Sequence, residues 1–352
     1  MGVTWQSNSS VLALLGGILI GGVAVTRLAL VGKITGISGI LNGSSIYKVD
    51  KVPYEERAAK ILFVLGISFG GLGCYYLFPQ AFLDWSTVPI ERIIVGGFLV
   101  GFGSAVGNGC TSGHGVCGIS SLRVRSIVAT SVFMFTGILT AVFTNSLKYF
   151  PKFDNELNVP TAMITFAIAL SLCISLYVVG NKVSDGKWII EESNKRYFMS
   201  FSEFLTGVVF ATAMTISNMS MNNATLSFLD LTEWNPALMF VMGGAICVAA
   251  PLFYFVKVKG TPFLSDKFDL PTSEDIDLQM LSGSATFGVG WGFFGACPGP
   301  ALTNLFNIQS SYRPLLFISC MILGFWAKEF SFDQYAKTKY ATVDIAPQKT
   351  TI

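Results

Sequence analysis

Two cysteines stand in matched surroundings. Gly101-Phe-Gly103-Ser-Ala-Val-Gly107-Asn-Gly109-Cys110 and Gly288-Val-Gly290-Trp-Gly292-Phe-Phe-Gly295-Ala-Cys297 both read G-x-G, with a cysteine seven residues after the second glycine. A thiol is a small, polarisable group with a weak S–H donor. It suits a sulfur-containing solute that is held weakly and released. A buried cysteine is also a common small hydrophobe, and that plainer reading serves for Cys74, Cys173 and Cys320. For Cys110 and Cys297 the duplication favours the chemical one, and Gly109 and Gly295 beside them join the candidate set. Cys117 follows Cys110 by seven residues, and His114 between them is the only histidine. Zinc takes four ligands in structural sites and three plus water in catalytic ones. No C-x-x-C occurs, so no metal and no cofactor is expected. His114 then reads as a polar turn residue that orders its loop by hydrogen bonds.

These residues sit in a very apolar chain. Of 352 residues 52% are hydrophobic and 12% charged, half the charge usual in soluble domains. Mean hydropathy is +0.59. A soluble globule and a disordered chain are both excluded, and an all-α polytopic membrane protein is implied. Nine spans are read, at 11–31, 61–78, 91–107, 126–144, 161–179, 203–220, 236–256, 280–297 and 312–327. Several are short and interrupted by glycine, as half-helices or re-entrant helices are. The N-terminus has no basic segment before its first apolar run, so that run reads as a membrane helix and not as a cleaved signal. A net charge of +2 gives no reason to expect nucleic acid.

The two glycine-cysteine segments are 187 residues apart and five spans apart. An odd offset makes them enter the membrane from opposite sides, as inverted-topology repeats do. The expected organisation is a first repeat over 1–160, a connecting helix and linker over 161–202, a second repeat over 203–327, and a tail over 328–352. Glycine-rich stretches at membrane depth either pack helices closely or mark broken helices whose freed backbone lines a site. Pro298 and Pro300 favour a break after Cys297. The run Thr111-Ser-Gly-His-Gly115 is equally unlike a continuous spanning helix.

Counted over alternate connections, one side carries 18 Lys and Arg and the other 4. The positive-inside rule puts the N-terminus outside and the C-terminus in the cytoplasm of a multi-pass cell-membrane protein. Arg27 and Arg92 lie near span ends and read as snorkelling to the interface. Glu91 most simply pairs with Arg92. No deep carboxylate is evident. Broken-helix N-termini could attract an anion without buried cations. No P-loop, G-x-S-x-G, H-E-x-x-H or nucleotide fingerprint occurs, so no enzymatic activity is expected.

Gly109-Cys-Thr-Ser-Gly-His-Gly-Val-Cys-Gly118, with Ser121-Leu-Arg-Val-Arg-Ser-Ile-Val-Ala-Thr130, resembles the signature of the YeeE/YedE-like sulphur transport family. So do Gly32-Lys-Ile-Thr-Gly-Ile-Ser-Gly-Ile-Leu-Asn-Gly43, Ser217–Asp230, Trp234–Gly244 and Gly295-Ala-Cys-Pro-Gly-Pro300. The resemblance covers residues 11–327. It implies an integral membrane protein in which central cysteines, here Cys110 and Cys297, pass thiosulfate by S–H hydrogen bonds through an hourglass-shaped path. Cys247 is the candidate for a further functional cysteine, with Cys117 and His114 beside the first. One block departs from the pattern: Asn218 stands where glycine is usual, and Met221-Asn222 replaces an Asn/Asp-Pro pair.

The resulting expectation is a membrane transporter taking up thiosulfate or a closely related sulfur anion. A membrane thiol-disulfide redox protein using Cys110, Cys117 and Cys297 is the alternative, and a subunit that only anchors a partner is a third. A cytoplasmic sulfur carrier or sulfurtransferase is a candidate partner beside the inorganic anion and the bilayer.

Overall fold

The computed structural model describes residues 7–48, 51–150, 157–185 and 191–344. Among the described residues there is no strand, only one isolated bridge between Lys33 and Asp269. In chain order the helices are α1 (Ser7–Val31), α2 (Ile37–Ser44), α3 (Tyr54–Leu77), α4 (Ile90–Val106), α5 (Val124–Phe143), α6 (Val159–Ser184), α7 (Glu192–Ile216), α8 (Asn222–Leu229), α9 (Ala237–Val258), α10 (Leu278–Phe294), α11 (Pro298–Thr303) and α12 (Arg313–Asp344). A π-helical segment, Thr111–Gly118, runs between α4 and α5. The protein is an all-α polytopic membrane protein.

The nine long helices lie on the nine spans, but they are not equivalent. Seven are long and apolar enough to cross a bilayer. The other two, α4 and α10, have 17 residues each, short of the ~20 a full crossing needs. These are the helices that carry the duplicated glycine-cysteine segments. Ahead of α4 the segment Pro79–Thr87 turns away by 112°, the geometry of a broken span or a re-entrant loop. Local signals account for the ends. Asn158 caps α6 by accepting from Thr161 N, with Pro160 in the first turn, and Asp277 caps α10 by accepting from Met280 N at 2.7 Å.

Packing in lipid depends on close contact between helices rather than on water exclusion, and the glycines supply it. A Cβ on Gly101 would collide with Met321 of α12, and one on Gly103 with Phe287 of α10. In the second copy a Cβ on Gly288 would strike Phe133 of α5, and one on Gly290 would sit 2.8 Å from Val100 N of α4. Each copy therefore seats its first glycine on the last long helix of the opposite half, and its second on the other short helix. The pairings follow the same rule elsewhere: α1 packs on α9 and α3 on α7, α4 on α10, α5 on α10 and α12 on α4. Helices α1 and α7 are the most buried, while α5 and α6 are among the most exposed. Ile164, Ile168 and Ile174 of α6 point outward, as lipid-facing residues do.

Side chains tie the connections into two faces. On one face Lys33 pairs with Glu56 at 3.2 Å and Asp269 at 3.6 Å, Arg196 with Glu55 at 3.0 Å, Lys259 with Asp185 at 3.1 Å and Lys48 with Glu329 at 2.8 Å. Arg123 donates to Pro271 O at 2.5 Å. These are the connections counted as basic, although Lys152, Lys187 and Lys349 of the full count lie outside the described residues. On the other face Trp85 N donates to Ser310 Oγ at 2.9 Å and Asn307 to Leu83 O at 2.7 Å.

Two arginines depart from the sequence reading. Arg27 and Arg92 do not snorkel: both are buried. Arg92 donates to Ser146 Oγ at 3.0 Å and Phe293 O at 2.7 Å, and its guanidinium lies 3.9 Å from the centre of the Tyr149 ring. Glu91 is not among these partners and is exposed. Buried backbone carbonyls and aromatic faces offered Arg92 better partners than its chain neighbour.

Candidate functional site

The two glycine-rich helices end in the same way. Two residues before each cysteine the chain enters the left-handed region, at Asn108 with φ 57° and at Gly295 with φ 80°. This is the common device for stopping a helix, and glycine and asparagine tolerate it best. Each cysteine is then extended, with φ −135° at Cys110 and −113° at Cys297, and immediately precedes a short helical element. The glycine copies thus do both things the sequence allowed: their first halves pack helices and their ends break them. Asn218 also sits at φ 58°, in the left-handed region that asparagine tolerates better than most side chains.

The breaks converge on one cavity of about 260 Å³ lined by both Cys110 and Cys297. Thr111, from the first break, lies 3.4 Å from the thiol of Cys297 in the second. Ser112 lies 3.3 Å from the thiol of Cys110. Met134, Met214, Met219, Met239 and Met242 contribute thioethers to the wall. No Lys, Arg, Asp, Glu or His is among the residues lining this cavity. Its polar side-chain groups are thiols, hydroxyls and the Trp291 indole, so it offers uncharged donors and polarisable sulfur in a low-dielectric setting.

A second cavity, of about 840 Å³, opens on the basic face. His114 and Cys117 line it together with Arg27, Lys60, Arg123 and Lys257. The wall between the cavities is thin. Gly36 and Gly113 line the larger one, while their chain neighbours Ile37 and Ser112 line the smaller. Within the wall Ile37 N donates to Ser112 Oγ at 3.1 Å. A Cβ on Gly113 would sit 3.7 Å from Gly36 Cα, so two bare backbones meet there.

His114 bridges the end of α4 and the start of α5. Its Nε2 donates to Gly107 O at 3.2 Å and its Nδ1 lies 3.1 Å from Ser126 Oγ. A carbonyl only accepts, so that contact assigns the proton to Nε2. Gly109 exists for this ring: a Cβ there would come 2.5 Å from it. Gly109→Ala is therefore expected to push His114 out of place, lowering thermal stability by ~1–3 kcal/mol, as melting of the purified protein would register. At Gly295 a Cβ would meet Asn222 O and Leu226 besides being strained by φ.

Of the predicted residues, Cys110 and Cys297 share the smaller cavity, and Cys117, His114 and Gly109 the larger. Cys247 is exposed on α9 and lines neither. Cys74, Cys173 and Cys320 are buried in helix packing, outside both cavities. All seven cysteines are free. Sequence reasoning missed Thr111, Ser112 and Gly36, whose roles depend on which backbones meet. It also missed Glu203, which is buried and pairs with Arg27 at 2.8 Å. A signal was present: Arg27 lies inside the first span and needs a counter-charge, and Glu203 opens the sixth.

Comparison with known proteins agrees with this picture. A family model described as "Sulphur transport" matches residues 3–140, and one described as a family of unknown function (DUF6691) matches residues 198–340. Two relatives named "Probable transporter" come from Xylella fastidiosa (strain Temecula1). One is 39% identical over 120 residues, covering 34% of this chain and 80% of the relative. The other is 42% identical over 134 residues, covering 37% and 91%. No solved structure matches. With its multi-pass helical fold, its paired cysteine segments and these relatives, the chain belongs to the YeeE/YedE-like sulphur transport family.

Proposed function

We propose that this protein is a membrane carrier, not an enzyme, and that it takes up thiosulfate or a closely related sulfur-containing anion past the thiols of Cys110 and Cys297. One observation carries the reading: two thiols at matching helix breaks bound a single cavity with sulfur-rich walls and no charged lining. An anion entering it must shed water. Strongly hydrated sulfate pays heavily for that, whereas the terminal sulfur of thiosulfate is large, soft and weakly hydrated and can accept from S–H and O–H donors. Discrimination against sulfate then follows from dehydration rather than from a dedicated clash. Complementation of a thiosulfate-requiring host tests the reading, with sulfate and selenite as controls. Growth on thiosulfate alone is the expected result.

The two halves read as inverted repeats, with α1–α5 related to α7–α12 and α6 as connector. Equal lengths support this, eight residues for α2 and α8 and 17 for α4 and α10, together with the paired left-handed residues. The basic face is assigned to the cytoplasm, where a sulfur carrier or sulfurtransferase could receive the anion. Single cysteines at Ser86 and Ser273, in a background lacking exposed Cys247, test this assignment. A membrane-impermeant maleimide should label position 86 in intact cells and position 273 only after permeabilisation; the reverse pattern would overturn it.

A further inference from the structure

Arg27 and Glu203 form a buried ion pair beside the larger cavity. Arg27 is on α1, seven residues beyond Ile20, which lines the thiol cavity; at 1.5 Å per residue the two are separated by ~10 Å along the helix. Its side chain is 3% exposed, and it is among the residues that line the larger cavity. The Nε donates to Glu203 Oε2 at 2.8 Å and Nη1 to Ile34 O at 2.5 Å. The guanidinium lies 5.0 Å from the centre of the Phe63 ring. Among the described residues no hydrogen bond occupies Nη2. Next to Ile34, Thr35 keeps a buried hydroxyl that also has no hydrogen-bond partner among the described residues.

A purely structural pair would be an odd choice here. Breaking a buried pair is costly, but replacing both ions by apolar groups is often neutral or stabilising, so a buried pair is weak evidence of a stabilising role. A guanidinium with unused donors beside a cation-lined cavity is instead suited to receive an oxyanion, because its planar fork matches two oxygens at once. Glu203 keeps the site electrically balanced when no anion is present. We infer that Arg27 is an anion-binding residue on the path between the basic face and the thiol cavity, and that Glu203 is the internal carboxylate the incoming anion displaces. This rests on the reading of the protein as an anion carrier and adds where the anion first meets a buried charge. Competition by Glu203 keeps the site from holding the anion too tightly, so release remains fast.

The assignment makes the two partners act with opposite sign, which a structural pair does not. Thiosulfate binding to the purified full chain in detergent is measured by ligand-induced thermal shift or calorimetry. Arg27→Gln should weaken binding by at least ~10-fold, which corresponds to ~1.4 kcal/mol. Glu203→Gln, which removes the competing charge but keeps the shape, should tighten binding severalfold and slow net flux. The double variant R27Q/E203Q removes both charges, so no buried ion is left unpaired; it should fold and should not bind. If Glu203→Gln binds as the wild type does or more weakly, or if the double variant still binds, the assignment is wrong while the carrier reading stands. If wild-type protein neither binds nor transports thiosulfate, the carrier reading fails and this inference falls with it.

Discussion

Replacing Cys110 or Cys297 by alanine is expected to cut thiosulfate uptake by ~10- to 100-fold while membrane insertion and yield stay at wild-type levels. Alanine removes the sulfur and its S–H donor. Losing one hydrogen bond to a charged group costs ~1.5–3 kcal/mol, which gives that range. The packing loss is small, since one side of each thiol faces a cavity rather than tight core. Serine is the finer test. It keeps a donor but replaces a polarisable, weakly solvated group by a strongly hydrogen-bonding hydroxyl. Ser112 and Thr111 already sit 3.3 and 3.4 Å from the two thiols, so a serine in either place would bond to its neighbour and leave the solute. Rescue should be poor. Alanine at Cys74, Cys173, Cys320 and Cys247 should leave uptake nearly unchanged, because none of these lines either cavity. Uptake by cells carrying each variant, normalised to protein in the membrane, decides the matter. Wild-type uptake by both Cys110→Ala and Cys297→Ala would refute the thiol path.

The second large effect separates two kinds of glycine. Gly36 and Gly113 meet across the wall between the cavities at ordinary contact distance. Alanine at either should be tolerated, with a modest fall in flux. Gly113→Leu should fill the gap between the backbones and stop transport, with little loss of folded protein. Gly103 and Gly283 behave differently. A Cβ on either would collide with backbone of the facing short helix, at Phe287 and Gly107 respectively. Alanine there has nowhere to go, so overpacking of ~1–3 kcal/mol or more is expected, seen as lost yield and a lower melting temperature. If Gly113→Leu transports normally, the two cavities are not connected at that wall. If Gly103→Ala is as stable as wild type, α4 and α10 are not locked together as described.

The sequence made some of this legible and not the rest, for physical reasons. Hydropathy located every long helix, since lipid demands apolar runs wherever a helix crosses. The G-x-G and cysteine spacing marked the breaks, because a left-handed stop two residues before the thiol leaves a local trace at Gly295. Asn108 carries the same conformation with less obvious spelling. What composition could not give was the third dimension. Arg27 and Arg92 near span ends look like snorkelling residues until the opposing helix is known, and Glu203 lies 176 positions from its partner. Gly36 and Ser112 are ordinary in their own segments. They matter only because α2 and the π-helical turn come together. Cys247 was offered only by the resemblance, as its further cysteine, and the face of α9 that carries it points outward.

In the proposed path a soft sulfur anion crosses between Cys110 and Cys297. The most direct measurement is uptake of radiolabelled thiosulfate into liposomes holding only the purified protein, with and without an equal concentration of unlabelled sulfate. Saturable uptake above empty liposomes is expected, little affected by sulfate and lost in the double variant C110A/C297A. Absence of uptake by the wild-type protein, or undiminished uptake by the double variant, would contradict it.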